Sequence, residues 1–140
     1  MSSQSQSNIE TIRGIYMAFS QGDVPAVLKS MDENVEWEPG YEHNSDIPWL
    51  KSDRGVNQVA GFFAALRVFE FKKFEVIEIL GHGPWVVALT SVELVHGPTQ
   101  CVLREACEPH VWKLGSDGKV VSMRHAADTR SHAHVAGLDR

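Results

Sequence analysis

Apolar residues recur at three- and four-residue steps near the start of the chain. Ile9, Ile12, Ile15, Tyr16 and Phe19 draw a single stripe, the signature of an amphipathic helix. Asn8 is the expected N-cap, and the Ser- and Gln-rich residues 1–7 are expected to be a disordered N-terminus. Gly22 stops this helix. Asp23 caps a second, short one, with Pro25 in its first turn and Val24, Val27, Leu28 and Met31 on its buried side. From Asn34 to Glu38 the period changes to two: Val35 and Trp37 share a face, and Pro39-Gly40 ends the strand. Residues 41–54 form a polar loop with the apolar insertions Tyr41, Ile47, Pro48, Trp49 and Leu50. A loop of that length is uncommon in a compact domain unless it serves a function. Helical spacing returns over 55–68, where Val56, Val59, Phe62, Phe63 and Leu66 make the apolar side.

Four strand-like segments follow, at about 70–80, 85–95, 100–114 and 119–129. The turns between them, at 81–84, 96–99 and 115–118, all carry Gly with Pro, Ser or Asp, which is hairpin chemistry. The order ααβαββββ predicts an α+β domain, three helices packed on one face of a curved antiparallel sheet. Residues 8–130 are expected to form this single domain, and 131–140 a polar C-terminal tail. At 140 residues the chain has the size of one domain, and 43% hydrophobic with 22% charged residues is ordinary globular composition. A formal net charge of −5 disfavours nucleic acid as a partner. No apolar run approaches the ~20 residues of a membrane span, and the first residues lack the basic and apolar segments of a signal peptide. The expected location is cytoplasmic. Cys101 and Cys107, six strand steps of ~3.3 Å apart, are too distant for a disulfide if they share a strand. No His or Cys spacing suggests a metal, and no cofactor motif is present.

Strand register offers a first site. Regular pairing across the turns places Val86, Ala88, Thr90, Val92, Leu94, Leu103, Glu105, Val120, Arg124 and Asp128 on one face. The other holds Val87, Leu89, Glu93, Arg104, Glu108, His110, Trp112, Met123 and His125. The first face is the more apolar and is expected to meet the helices. Glu105 then lies across from Asp128, with Thr90 beside them. Two carboxylates in a dry setting suit general acid–base chemistry, because burial and like charge raise a pKa. Alternatively Arg124 neutralises them, Asp128 sits at a wet strand end, or a bulge near Pro109 turns Glu105 outward. The second face, with Trp112 among its charges, reads as a homodimer interface through the outer sheet. His82, His96, His132 and His134 fall in turns or the tail and are expected in solvent, while His43 lies in the long loop, from which a pocket mouth is one place it could reach.

The element order resembles the SnoaL-like proteins of the nuclear-transport-factor-2-like superfamily. So do Phe19-Ser-Gln-Gly22-Asp23, Asn34-Val-Glu-Trp37-Glu, Gly55-Val56 before Phe62-Phe63, and the ending His110-Val-Trp112, Asp117-Gly118-Lys119-Val, Asp128-Thr129. The resemblance covers roughly residues 8–130. It implies a cone: a strongly curved sheet wrapped around helices, with an internal apolar pocket, often in a homodimer. It implies a cofactor-independent isomerase, cyclase or dehydratase acting by proton transfer on an apolar carbonyl compound. Polyketide cyclases of this kind use an aspartate at the end of the last strand, the place of Asp128. Ketosteroid isomerases use a carboxylate just before a Pro on the first strand, the place of Glu38, and a first-helix tyrosine, near Tyr16. Scytalone dehydratase needs a His/Asp/Tyr set, which His110 and His125 on the outer face disfavour.

The expected catalytic residues are therefore Asp128, Glu105 and Glu38. Tyr16, Trp37, Tyr41, Trp49, Phe62, Phe63 and Thr90 are the expected lining of a pocket for a small apolar molecule, with Trp49 on a mobile rim. The other open reading is a non-catalytic binding protein for an apolar metabolite.

Overall fold

The computed structural model describes residues 2–138. Helix α1 spans Ser3–Ser20, α2 Val24–Lys29, α3 Val56–Ala65 and α4 Thr129–Val135. Strands β1 to β6 are Met31–Trp37, Asp53–Arg54, Phe69–His82, Trp85–His96, Val102–Leu114 and Val120–His125. They form one curled, unclosed sheet in the order β2-β1-β6-β5-β4-β3. The architecture is α+β as the pattern predicts, and it is the cone that the resemblance implies. All neighbours are antiparallel except β1 and β6, which run parallel. Among the described residues no helix is long and apolar enough to cross a membrane.

Both ends differ from expectation, for identifiable reasons. Helix α1 begins six residues early: Ser2 Oγ accepts from the Ser5 N–H at 3.1 Å and so takes the N-cap role expected of Asn8. Asn8 is buried instead and donates its side-chain amide to the Gly83 carbonyl in the β3–β4 turn. Gly81 lets the helix approach this closely, since a Cβ there would meet the Ile9 side chain at 2.9 Å. At the other end β6 stops at His125, and part of the expected tail forms α4, which buries His132, Ala133 and Val135. The Thr99 hydroxyl donates to the Val135 carbonyl at 2.8 Å and ties that helix to the β4–β5 turn.

Two β-bulges decide which side chains enter the cone. In β4 the inward positions are as predicted: Val86, Ala88, Thr90, Val92 and Leu94 are all buried. Along β5 the register runs Val92 opposite Glu105 but Thr90 opposite Glu108, so Ala106 and Cys107 together face Ser91. Past that extra residue the alternation inverts. Glu108, His110, Trp112 and Leu114 point inward and are buried. A second shift leaves Val121 unmatched between Lys113–Ser122 and Leu114–Val120. It turns Met123 inward and Arg124 outward, and His125, two residues on, follows Met123 into the cone. The expected outer placement of His110, Trp112, Met123 and His125 is thus reversed, and Trp112 belongs to the core at 3% exposure.

Candidate functional site

The cone encloses a cavity of about 80 Å³. Its walls are aromatic and aliphatic: Trp37 from β1, Phe62 and Phe63 from α3, Tyr16 and Phe19 from α1, Phe74 from β3 and Trp112 from β5. Phe19 stands between Phe63, Phe71 and Phe74 at centroid distances of 5.7, 5.9 and 5.4 Å. Phe71 is 38% exposed, so this cluster forms the rim of the cavity. The polar groups facing it are Glu108, His110, His125 and His132.

These groups are organised as hydrogen-bonded chains. The Trp112 indole N–H donates to the Tyr16 hydroxyl at 3.1 Å, Tyr16 meets His110 Nδ1 at 2.6 Å, and His110 Nε2 meets Glu108 Oε1 at 2.8 Å. An indole can only donate, so the proton order follows: Tyr16 donates to Nδ1 and Nε2–H donates to the carboxylate. Thr90 donates its hydroxyl to the Glu108 carbonyl and pins the bulged strand at 2.7 Å. A second chain has the same polarity. Trp49 Nε1–H donates to His132 Nδ1 at 2.8 Å, and His132 Nε2 meets Glu105 Oε2 at 2.8 Å and Glu108 Oε2 at 3.5 Å. Two indoles therefore feed two imidazoles that converge on neighbouring glutamates.

The third unit is a dyad. Glu38, fully buried in a left-handed conformation at φ 55, accepts from the His125 backbone N–H at 2.8 Å and meets His125 Nδ1 at 2.6 Å. The parallel β1–β6 pairing makes this contact: Trp37 lies opposite Met123, which carries Glu38 to the end of β6. Among the described residues no hydrogen bond engages His125 Nε2, and the ring lies 4.5 Å from that of His110, edge-on.

The electrostatics follow from burial and pairing. Burial opposes charge on His125, but the Glu38 carboxylate outweighs it and raises the imidazole above its ordinary range. Burial, with His125 beside it, holds His110 below that range and neutral. Burial pushes the Tyr16 hydroxyl far up, so it stays protonated. Burial and the Glu108 charge raise Glu105. Burial would raise Glu108 too, but hydrogen bonds from His110 and His132 overcome it and hold the carboxyl well below the usual range. Glu108, His110 and His125 bring one potential metal-ligand atom each within 4.8 Å of one another, and so do Glu105, Glu108 and His132.

Of the expected catalytic residues, Glu38 and Glu105 reach this network and Asp128 does not. Asp128 is exposed and caps α4, accepting from Ser131 N at 3.2 Å and Ser131 Oγ at 2.8 Å. Those bonds hold its carboxyl below the usual range, the opposite of a raised base. Its link to the site is the backbone N–H, which donates to Glu105 Oε1 at 2.9 Å. Tyr16, Trp37, Trp49, Phe62 and Phe63 line the cavity. Tyr41 does not: its hydroxyl donates to the His125 carbonyl, accepts from the Ala127 N–H and braces the end of β6 under the Arg124 guanidinium. Thr90 lies behind His110. Trp49, expected on a rim, is buried at 4% and packs edge-on against Phe69. Sequence reasoning missed Glu108, His110, His125 and His132. Three of them, Glu108, His110 and His125, were assigned to the wrong sheet face by the unbulged register. His96 and His132 were expected in solvent, and both are buried.

No family model and no curated protein matches the chain. Solved structures do. An NTF2-like protein from Burkholderia xenovorans is 22% identical with a TM-score of 0.79, over 94% of this chain and 96% of that one. The protein TerC, co-crystallised with polyporic acid, is 23% identical with a TM-score of 0.76, over 94% and 98%. An LEH-like epoxide hydrolase from M. tuberculosis is 16% identical with a TM-score of 0.64, over 86% and 82%. The chain has the NTF2-like fold.

Proposed function

We propose that this protein is a cofactor-independent acid–base enzyme that moves a proton beside a carbonyl in a small, flat, apolar compound, with His125 as the acid–base and Glu38 as its positioning partner. The observation that carries it is the dyad. Glu38 occupies Nδ1, while Nε2 is left without a partner on a ring that lines an aromatic cavity. A buried carboxylate behind an imidazole fixes its tautomer and stabilises the imidazolium once a proton is taken. His125 Nε2 takes a proton from the carbon next to the carbonyl. It returns that proton either to another carbon, as in isomerisation or ring closure, or to a departing hydroxyl that leaves as water. The ring ends as it began, so no oxidant or cofactor enters the balance. The enzymes and small-molecule complex among proteins of this fold support a pocket reading.

The test is deuterium exchange at the carbon beside the carbonyl of 1-tetralone in D2O, followed by proton NMR. The wild-type protein is expected to accelerate exchange, with the rate rising as pH rises through the raised pKa of His125. Glu38→Gln is expected to move that limb to lower pH and to lower the plateau, because a weaker base remains. Asp128→Asn leaves the rate unchanged. Bound 1-tetralone with no exchange above the buffer rate refutes catalysis and leaves a binding protein for an apolar metabolite.

A further inference from the structure

Trp37 carries the one buried side-chain polar atom with no hydrogen-bond partner among the described residues, its indole Nε1. The residue is 1% exposed and lines the cavity between Phe62 at 5.2 Å and His125 at 6.4 Å. A buried unsatisfied donor is rare, because it has given up water and received nothing in exchange. The contrast with its neighbours sharpens the point. Trp112 and Trp49 also bury indoles against this cavity, and each N–H has an acceptor within 3.1 Å. The aromatic wall around Trp37 offers no oxygen to accept from it.

We infer that Trp37 is the carbonyl-recognising residue of this cavity: a ligand's uncharged carbonyl oxygen accepts from Nε1–H and seats the adjacent carbon against His125. The ligand class follows by elimination. A hydrocarbon would leave the N–H as it is now. A group that only donates would face another donor. A carboxylate would bring a third negative charge beside Glu38 and Glu108 into an apolar space. A ketone- or quinone-type oxygen satisfies the donor without added charge. If a proton leaves the adjacent carbon, the charge that develops on that oxygen strengthens the same bond, so Trp37 would assist the step as well as select the ligand.

The inference rests on the proposed function only in taking the cavity as the ligand site, and its test is separable from catalysis. Protein labelled with 15N at its tryptophan indoles shows four N–H resonances, one for each Trp in the chain. That of Trp37 is identified by contacts to Phe62 and by its loss in Trp37→Phe. It is titrated with 1-tetralone and with tetralin, the same skeleton without the oxygen. The expected result is a downfield shift of the Trp37 N–H with 1-tetralone and not with tetralin. Trp37→Phe should weaken 1-tetralone by about tenfold and leave tetralin within about twofold. Equal shifts with both probes, or equal weakening of both, overturn the inference. So does binding that moves Trp49 or Trp112 while Trp37 stays still. If 1-tetralone moves the Trp37 N–H yet no exchange occurs at its carbon, the carbonyl site stands and the catalytic reading falls. If the variant does not fold, the wild-type shift with the two probes decides alone.

Discussion

Replacing Trp49 with Phe should raise the proton affinity of a histidine more than 80 residues away in sequence. Glu105 and Glu108 push His132 up to about 9 against the opposing effect of burial. From an ordinary value of 6.5 that is roughly 3 kcal/mol in favour of the imidazolium. The Trp49 indole works the other way. Its N–H points at His132 Nδ1 from 2.8 Å, and a proton on Nδ1 would set two donors face to face. Protonation then forfeits a hydrogen bond of about 1 kcal/mol and leaves two buried donors unsatisfied at ~1–3 kcal/mol. The indole thus opposes part of the pull of the carboxylates, so His132 in the native protein is raised less than they alone would raise it. Trp49→Phe removes the opposing donor and keeps the edge-on packing on Phe69. The titration midpoint of His132 should then climb by more than one pH unit. The assay is a carbon–proton NMR titration of the imidazoles from pH 5 to 10, with His132 assigned by its absence in His132→Gln. In the variant, the higher folded pKa means that the charged pairing stabilises fully below pH ~6.5 and is lost as pH rises through that folded pKa. Urea stability relative to wild type should fall over that window. A midpoint unchanged or lowered in Trp49→Phe would refute the account of the indole as a brake on protonation.

Tyr16→Phe should destabilise the fold by roughly 2–4 kcal/mol in urea denaturation, because the Trp112 N–H and His110 Nδ1 both lose their partner in a buried setting; a loss under about 1 kcal/mol would contradict the chain as drawn. With Trp112 inside the cone, the outer sheet face still presents Trp85, Val87, Leu89 and Val102, of which Trp85 and Val102 are 47% and 45% exposed. Sedimentation at micromolar concentration should therefore find a homodimer that Leu89→Asp dissociates, and a wild-type monomer would remove that expectation.

The helices, hairpins and inner face of β4 were legible because their periodicity is local: a stripe at three- and four-residue steps, an alternation of two, a Gly-bearing turn. The buried polar network was not, and the reason is geometric. One unpaired residue at Ala106-Cys107 and another at Val121 invert every side chain beyond them. Extrapolating the alternation through those points therefore sent Glu108, His110, Trp112, Met123 and His125 to the wrong face together. One signal was available: with regular register, the outer face of β5 and β6 carried Trp112, two histidines and Met123, an apolar and titratable set poorly suited to solvent. The dimer interface invoked to cover them and a bulge that hides them answer the same difficulty, and only the pairing distinguishes the two. Glu38 was found for a different reason. Its position before Pro39 fixes where β1 must end, so the resemblance placed it without any knowledge of register. Asp128 failed on that same logic, because the last strand ends at His125 and not at Asp128. Three residues of strand became the entry to α4, and the aspartate expected to take a proton became the cap that starts the helix. The proposed acid–base role thereby falls three residues upstream, on a histidine whose partner carboxylate the sequence had already singled out.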